Sequence, residues 1–478
     1  MLMLMLVIVV LAVALASTCA KRKWEKIVQS RVFVMPTSPS AQTFQTLLRG
    51  VDTSFFMVPD VPVVFVFRED KINFSQLYEG LVRTLNQLPI AAGRVRLGQE
   101  ALEISCENSS GCLLEFIVRE EEDCPPIDLP ASAYIRFGIA DPLIPQEPFG
   151  RPLLSATLTH FKQGCCLYVK FNHALFDGFS MVQFMHLWDQ ETTTPTTTTT
   201  FAMDCNHAYP TNIHIPVTKQ DLASKMTISG AISFLLGISW KYYTDQVVDF
   251  EFTLEQWTQL KTELSNQLQP GEWISSYEAM MGLALQCQTN TERKDLFTKV
   301  IINIRARSAL YAENYLGNAL GMHTYQALQS DTAAQSALRL HDSLRTCLLA
   351  ENLIELERTN AIPQQLETHR PSALWGRLLG GRLDVVERAR YVFGWEQSVL
   401  YGGVIINSWV GYDWTKVQFA TKQTSASFIK VPLFRSPRQL LIVPMTNSKF
   451  VLRASMRPSN MLEFKKRMLA SNQPMRIV

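Results

Sequence analysis

The sequence predicts a mixed α/β protein built from two domains of similar size. The chain has 478 residues, more than a single hydrophobic core usually serves. Strand-like and helix-like apolar patterns alternate along it, with several strands in succession, which argues for sheets packed with helices rather than an all-helical bundle. One low-complexity tract, TTTPTTTTT at Thr192–Thr200, falls near the middle and has nothing to bury, so it reads as a linker. The division that follows is a first domain at 24–190, a threonine-rich crossover at 191–215 and a second domain at 216–478, with 1–20 set apart.

Residues 1–20, MLMLMLVIVVLAVALASTCA, carry no charged side chain, and a helix of 20 residues spans roughly the 30 Å of a bilayer core. The basic run Lys21-Arg22-Lys23 follows it and no Lys or Arg precedes it. Basic flanks stay in the cytosol, so the expectation is an endoplasmic reticulum membrane anchor with the rest of the protein facing the cytosol. The competing expectation is a signal peptide cleaved near Thr18-Cys19-Ala20 and a secreted protein, although the positive n-region of such peptides is missing.

The elements follow in order. Val61–Phe67 (VPVVFVF) is a valine-rich apolar run that predicts a strand. From Phe74 to Leu88 apolar residues recur at helical spacing: Phe74, Leu77, Leu81, Leu85 and Leu88. Ala101–Cys106 and Cys112–Val118 read as strands paired around an Asn-Ser-Ser-Gly turn, and Leu153–His160 with Cys165–Asn172 as a second hairpin. In the second half Ser275 caps a helix running to Cys287, Leu296–Ile304 is a strand, and Val399–Trp409 and Gln439–Met445 hold further apolar runs.

Composition removes several function classes. Apolar residues are 47% and charged residues 18%, enough side chain for a core. The net charge is only +2 and the basic residues are scattered, so no nucleic-acid partner is expected. The cysteines number nine, an odd count with no C-x-x-C pair, which speaks against a disulfide framework or a zinc site and for small buried apolar residues in a reducing compartment.

The stretch that carries chemistry is Tyr168–Met181, YVKFNHALFDGFSM. A strand ends at Asn172, His173 follows where strand gives way to loop, and a helix-like run begins at Phe179. A loop imidazole beside a rigid element is the natural general base near neutral pH. Asp177 can turn back to fix the loop, and Gly178 permits a tight or positive-φ conformation. On spacing alone, His173 reads better as an ordinary loop residue and Asp177 as a helix cap than as catalytic groups. His186, on the helix after the motif, reads as packing, and a nucleophile at Cys165 or Cys166 is not expected.

The stretch resembles the HxxxDG motif of the superfamily that includes the BAHD acyltransferases, and the resemblance runs through nearly the whole chain after residue 20. Leu88–Arg94 (LPIAAGR) is similar to that family's P-x-A-G-R segment, and Ser276-Tyr277-Glu278-Ala279 to its S-x-E-A-L helix start. Arg305-Ala306-Arg307, Tyr315–Ala319 (YLGNA) and Asn407-Ser408-Trp409 resemble its R-x-R, Y-x-G-N-A and T-S-W elements, in the same order. The D-F-G-W-G element is degenerate: Gln418–Lys422 stands in its place and only Phe419 is kept.

The resemblance implies a chloramphenicol acetyltransferase-like fold with an active-site channel at the domain interface. It implies transfer of an acyl group from acyl-CoA, as co-substrate, to a hydroxyl or amine. His173 would be the base, with no bound cofactor, no metal and no covalent acyl-enzyme. Asp177 would face away from substrate and pair with an arginine of the second domain, for which Arg305 is the candidate. Ser408 and Trp409 are the candidates for contact with substrate or oxyanion, and a monomer is expected. The alternatives are a condensation-type or wax-ester-type transferase, which usually carries two consecutive histidines where this chain has Asn172-His173, and a non-catalytic binding or scaffold protein of the same fold.

Overall fold

The computed structural model describes residues 28–37, 44–48, 52–55, 60–97, 102–107, 110–126, 134, 150–194, 245–308, 311–349, 353, 403–419, 426, 428–430, 438–471 and 475–477. The apolar run 1–20 and the crossover beyond residue 194 lie outside the described residues, as do Cys19 and Cys205. Among the described residues no helix is long and apolar enough to cross a membrane.

The first half supplies β1 (Ser30–Val34), β2 (Phe44–Leu47), the one-turn helix α1 (Asp52–Phe55), β3 (Val61–Phe67), α2 (Phe74–Gln87), β4 (Arg94–Leu97), β5 (Leu102–Cys106), β6 (Cys112–Arg119), β7 (Leu154–Phe161), β8 (Cys165–Phe171) and α3 (Gly178–Thr193). The second half supplies β9 (Gln246–Thr253), α4 (Leu254–Ser265), α5 (Ser276–Glu292), β10 (Leu296–Asn303), β11 (Leu320–Ala327), α6 (Ala333–Cys347), β12 (Val404–Ser408), β13 (Phe428–Lys430), β14 (Gln439–Pro444), β15 (Lys449–Met456), α7 (Pro458–Leu469) and β16 (Arg476–Ile477). The strands form a six-stranded sheet ordered β1-β6-β7-β8-β3-β13, a seven-stranded sheet ordered β11-β10-β12-β14-β15-β9-β16, and a small sheet β2-β5-β4.

Every residue of β3 is buried, because its alternate faces serve two cores. Val61, Val63, Phe65 and Phe67 join the large core of the first half, whereas Val64 and Val66 meet Met445 and Val451 of the second half. The chain does not respect the division expected at residue 216. β13, from residues 428–430, pairs antiparallel with β3 and completes the first sheet. Trp409, Trp414, Leu441 and Val443 likewise bury into the first core. The crossover expected from residue 191 starts later, since α3 runs through Thr193.

The expected hairpin at 101–118 is not one. Both strands form, but β5 pairs with β2 and β4 in the small sheet, while β6 pairs with β1 and β7 in the large one. Gly111, at φ +115°, takes the backbone turn that carries the chain from one sheet to the other. The β7–β8 hairpin forms as expected, turning at Gly164 with φ +73°.

Helix α2 is capped by the Asn73 side chain, which accepts from Gln76 N, and buries Leu77, Leu81 and Leu85. It crosses α3 closely at Gly80, where a Cβ would stand 2.1 Å from Thr192 Oγ1 and 2.9 Å from Thr192 Cα. The Trp188 indole donates to Leu77 O across the same crossing (3.0 Å). This crossing fixes α3, whose N-terminus carries the site.

Candidate active site

The site is built where β8 ends. Asn172 is fully buried, its Oδ1 accepts from Ala174 N (3.0 Å), and its carbonyl accepts from Leu175 N and Phe176 N. Ala174, Leu175 and Phe176 are each 0% exposed. The turn is thus anchored from below, and the half-buried His173 is left at its rim.

Asp177 caps α3, its Oδ1 accepting from Ser180 N at 2.9 Å. The same carboxylate takes two bonds from Arg305, Nη1 to Oδ2 at 2.7 Å and Nη2 to Oδ1 at 3.0 Å, and one from Ala319 N at 3.2 Å. The guanidinium also donates to Tyr315 O, Gly317 O, Ser180 Oγ and Asn303 Oδ1, and lies 4.5 Å over the Phe179 ring. Arg305 belongs to the second half and Asp177 to the first, so the pair clamps the halves together. It is bidentate and fully buried, with side chains 2% and 1% exposed. Removing either partner leaves the other charge uncompensated, at a cost of about 3–5 kcal/mol.

Two groups from distant parts of the chain hold His173. The Phe55 ring stacks on the imidazole at 4.0 Å and 13°. Asn318 bridges the rest. Its Nδ2 donates to Asp52 Oδ1 (2.7 Å) and to His173 O (2.8 Å), while its backbone N also donates to Asp52 Oδ1 (3.0 Å). With both protons of Nδ2 committed, the Asn318 Oδ1 that meets His173 Nδ1 at 3.1 Å can only accept. The network therefore assigns the proton to Nδ1 and leaves the Nε2 lone pair available. Burial pushes the imidazole below its usual 6.5, and contacts with Asp177, Asn318 and Asp52 offset this only in part, so the ring is neutral at pH 7.

Gly178 is required for a reason other than the one its sequence position suggests. It is not among the positive-φ glycines. A Cβ there would stand 2.9 Å from the Tyr412 ring and 3.2 Å from Trp409 Nε1, so the missing side chain makes room for the loop after β12. Trp409 is 4% exposed and stacks on Trp414, with its indole edge over Gly178. Ser408 is directed elsewhere: it pairs with Ile442, which belongs to the second core, whereas Asn407 pairs with Leu441, which belongs to the first. Strand alternation thus turns Asn407, not Ser408, toward the first sheet. Asn407 Oδ1 accepts from Ser408 N at 2.8 Å, which leaves its Nδ2 to donate.

Beside the clamp lies a polar cavity of about 750 Å³, lined in part by Phe179, His186, Asn303 and Tyr412. His186, read from the sequence as packing, contributes to this wall, and its buried Nε2 has no hydrogen-bond partner among the described residues. Cys165 and Cys166 are fully buried, and burial pushes the Cys165 thiol up to about 12, so neither is an available thiolate. The described cysteines are all free.

The family model of the Transferase family matches residues 27–361, most of the chain. The chain belongs to the Transferase family. Among solved structures this transferase is similar to TRI101 of F. graminearum complexed with ethyl coenzyme A, with a TM-score of 0.65 at 14% identity over 91% of this chain and 99% of that one. It is also similar to vinorine synthase, with a TM-score of 0.62 at 13% identity over 91% and 96% of the two chains. Both share its fold of two sheet-containing halves. A curated relative, acyltransferase clz6 of Cochliobolus lunatus, is 29% identical over 126 residues. That match spans 24% of this chain and 25% of the relative's length.

Sequence reasoning named His173, Asp177, Gly178 and Arg305, and the fold brings them together. It gave no role to Asn318, which stands in the quoted YLGNA segment, and it passed over Asp52, Phe55 and Ser180. Asn318 was within reach of sequence reasoning, since a carboxamide follows a glycine in a quoted motif. Asp52 meets it across 266 residues of sequence, and nothing local announces that contact.

Proposed function

We propose that this transferase moves an acyl group from acyl-CoA to a hydroxyl or amine acceptor, with His173 Nε2 as the general base. The observation that carries the reading is the Asp52–Asn318–His173 chain, which fixes a neutral imidazole with its basic nitrogen free. Nε2 takes the acceptor proton as the acceptor's oxygen or nitrogen bonds to the thioester carbonyl carbon. The tetrahedral intermediate collapses with cleavage of the C–S bond, and the imidazolium returns its proton to the departing thiolate. No acyl-enzyme is formed. Asn407 Nδ2 is the oxyanion donor in this reading, in place of Ser408, and Trp409 supports the motif helix. Acyltransferase clz6 and the TRI101 complex with ethyl coenzyme A, to which the chain is similar, support the donor class.

The test is release of CoA thiol from an acyl-CoA panel with mixed alcohol and amine acceptors. Acceptor-dependent release should fall by roughly 10² or more in His173→Ala. Equal activity in the two proteins sinks the mechanism.

For residues 1–20 the proposal is an anchor that holds the protein at the endoplasmic reticulum membrane with the catalytic part in the cytosol. The uncharged run followed by Lys21-Arg22-Lys23 supports it. The full chain should resist carbonate extraction from microsomes and stay accessible to added protease, whereas a glycosylated, secreted product overturns the anchor.

A further inference from the structure

Strand β10 alternates between two environments. Leu296, Val300 and Ile302 enter the second core, while Phe297, Lys299, Ile301 and Asn303 lie on the opposite face. That face fronts the first half of the molecule: β12 pairs with β10 at Ile405 opposite Lys299, and on β14 the same face carries Leu441 and Val443 into the first core. The row starts at the catalytic clamp, because Asn303 Oδ1 accepts from Arg305 Nη1. Strand β11 starts beside it, directly after Asn318 and Ala319, and sets Leu320 opposite Asn303, Met322 opposite Ile301, Thr324 opposite Lys299 and Gln326 opposite Phe297.

Leading away from His173, the wall is therefore apolar at Ile301 and Met322, cationic at Lys299, and aromatic at Phe297, which is 54% exposed. At a rise of roughly 3.3 Å per residue, Lys299 lies about 13 Å along the strand from Asn303. Lys299 as a residue is half-buried, and its ammonium has one partner among the described residues, the exposed Thr324 hydroxyl at 2.6 Å, with no carboxylate pairing with it there. Burial lowers its pKa with no carboxylate to offset the effect. A partly desolvated cation without a counter-ion is costly unless an anionic ligand supplies one.

We propose that this row is the track of the acyl-CoA donor, with Lys299 and Thr324 receiving its phosphates and Phe297 stacking on its adenine. The assignment rests on the acyl-CoA reading above. Read outward from the thioester, CoA presents a pantetheine arm, then a pyrophosphate, then an aromatic base, which is the order of the rungs on the wall. Lysine binds phosphate as a point charge, and an exposed ring gives a base a stacking platform.

The experiment is calorimetric titration of the full-length protein with CoA and, separately, with pantetheine, for wild type, Lys299→Gln, Lys299→Arg and Phe297→Ala. Lys299→Gln should weaken CoA about tenfold, less so at high salt, and leave pantetheine unchanged. Lys299→Arg should stay within about twofold of wild type. Phe297→Ala should weaken CoA and spare pantetheine. If wild type binds CoA and Lys299→Gln binds it equally well, the assignment of Lys299 is overturned while the acyl-CoA reading stands. Loss of CoA and pantetheine in parallel overturns it as well, because the damage then does not track the phosphates. A shift in acceptor KM with CoA binding untouched gives the residue to the acceptor and overturns the assignment. Wild type that binds no CoA at all removes the acyl-CoA reading and this inference together.

Discussion

At His173 the chemistry depends on which ring nitrogen carries the proton, and a carboxamide 145 residues away decides it. Replacing Asn318 with alanine removes the acceptor that fixes the tautomer and one of the contacts that raise the His173 pKa. The expected result is a kcat lower by roughly 10–10² with KM little changed, together with an acid limb of the kcat/KM profile displaced to lower pH. A loss of amplitude with no displacement would make Asn318 a merely structural residue. Residue identities at the motif were legible in the sequence because the chemistry of a base and a cap is local. The partners of those residues were not, since Asp52, Phe55 and Asn318 meet His173 only after both halves are assembled. Ser408 shows the same limit in reverse: its neighbour Asn407 takes the inward face once the pairing of β12 with β14 sets the alternation.

Among elements, α3 is positioned by its crossing with α2, and Gly80 is the point of contact. An alanine there gains about 1 kcal/mol of helix propensity. Its Cβ, however, meets Thr192 Cα at 2.9 Å, and backbone cannot swing aside as a side-chain tip can. Overpacking of this kind costs about 1–3 kcal/mol, so the clash wins. Gly80→Ala should lower stability in denaturant titration, and Thr192→Ala in the same protein should restore only part of it, because the Cα overlap remains. Full restoration would put the whole effect in the threonine hydroxyl. Periodicity placed most elements within a residue or two of where they lie, α2 and β3 among them, because each buries one continuous face or run. Pairing was the harder matter. The strands at 102–106 and 112–119 looked like one hairpin because a turn sequence separates them, yet each finds a better apolar face in a different sheet.

For the molecule as a whole, burial holds His160, His173, His186 and His323 below their ordinary 6.5. A histidine depressed in the folded state takes up its proton more readily when unfolded, so below 6.5 the unfolded chain binds more protons and stability falls with pH. Tm should therefore drop steadily between pH 7 and about pH 5. A Tm flat over that window would mean that these rings are solvated. The fold class and the two halves were legible in composition and in the alternation of elements. The way the halves interlock was not, because β13 is three residues long and joins a sheet whose other strands lie before residue 172.

That strand also bears on how the protein is made. The edge of β3 that β13 covers is the fully buried stretch Val64, Phe65 and Val66. Its cover is translated about 240 residues after α3 ends, a delay on the order of 10–50 s at ordinary elongation rates. For that interval the nascent first half displays an open apolar edge of the kind that templates aggregation, so its yield in the cell should depend on chaperones that shield a sheet edge until residue 430 emerges.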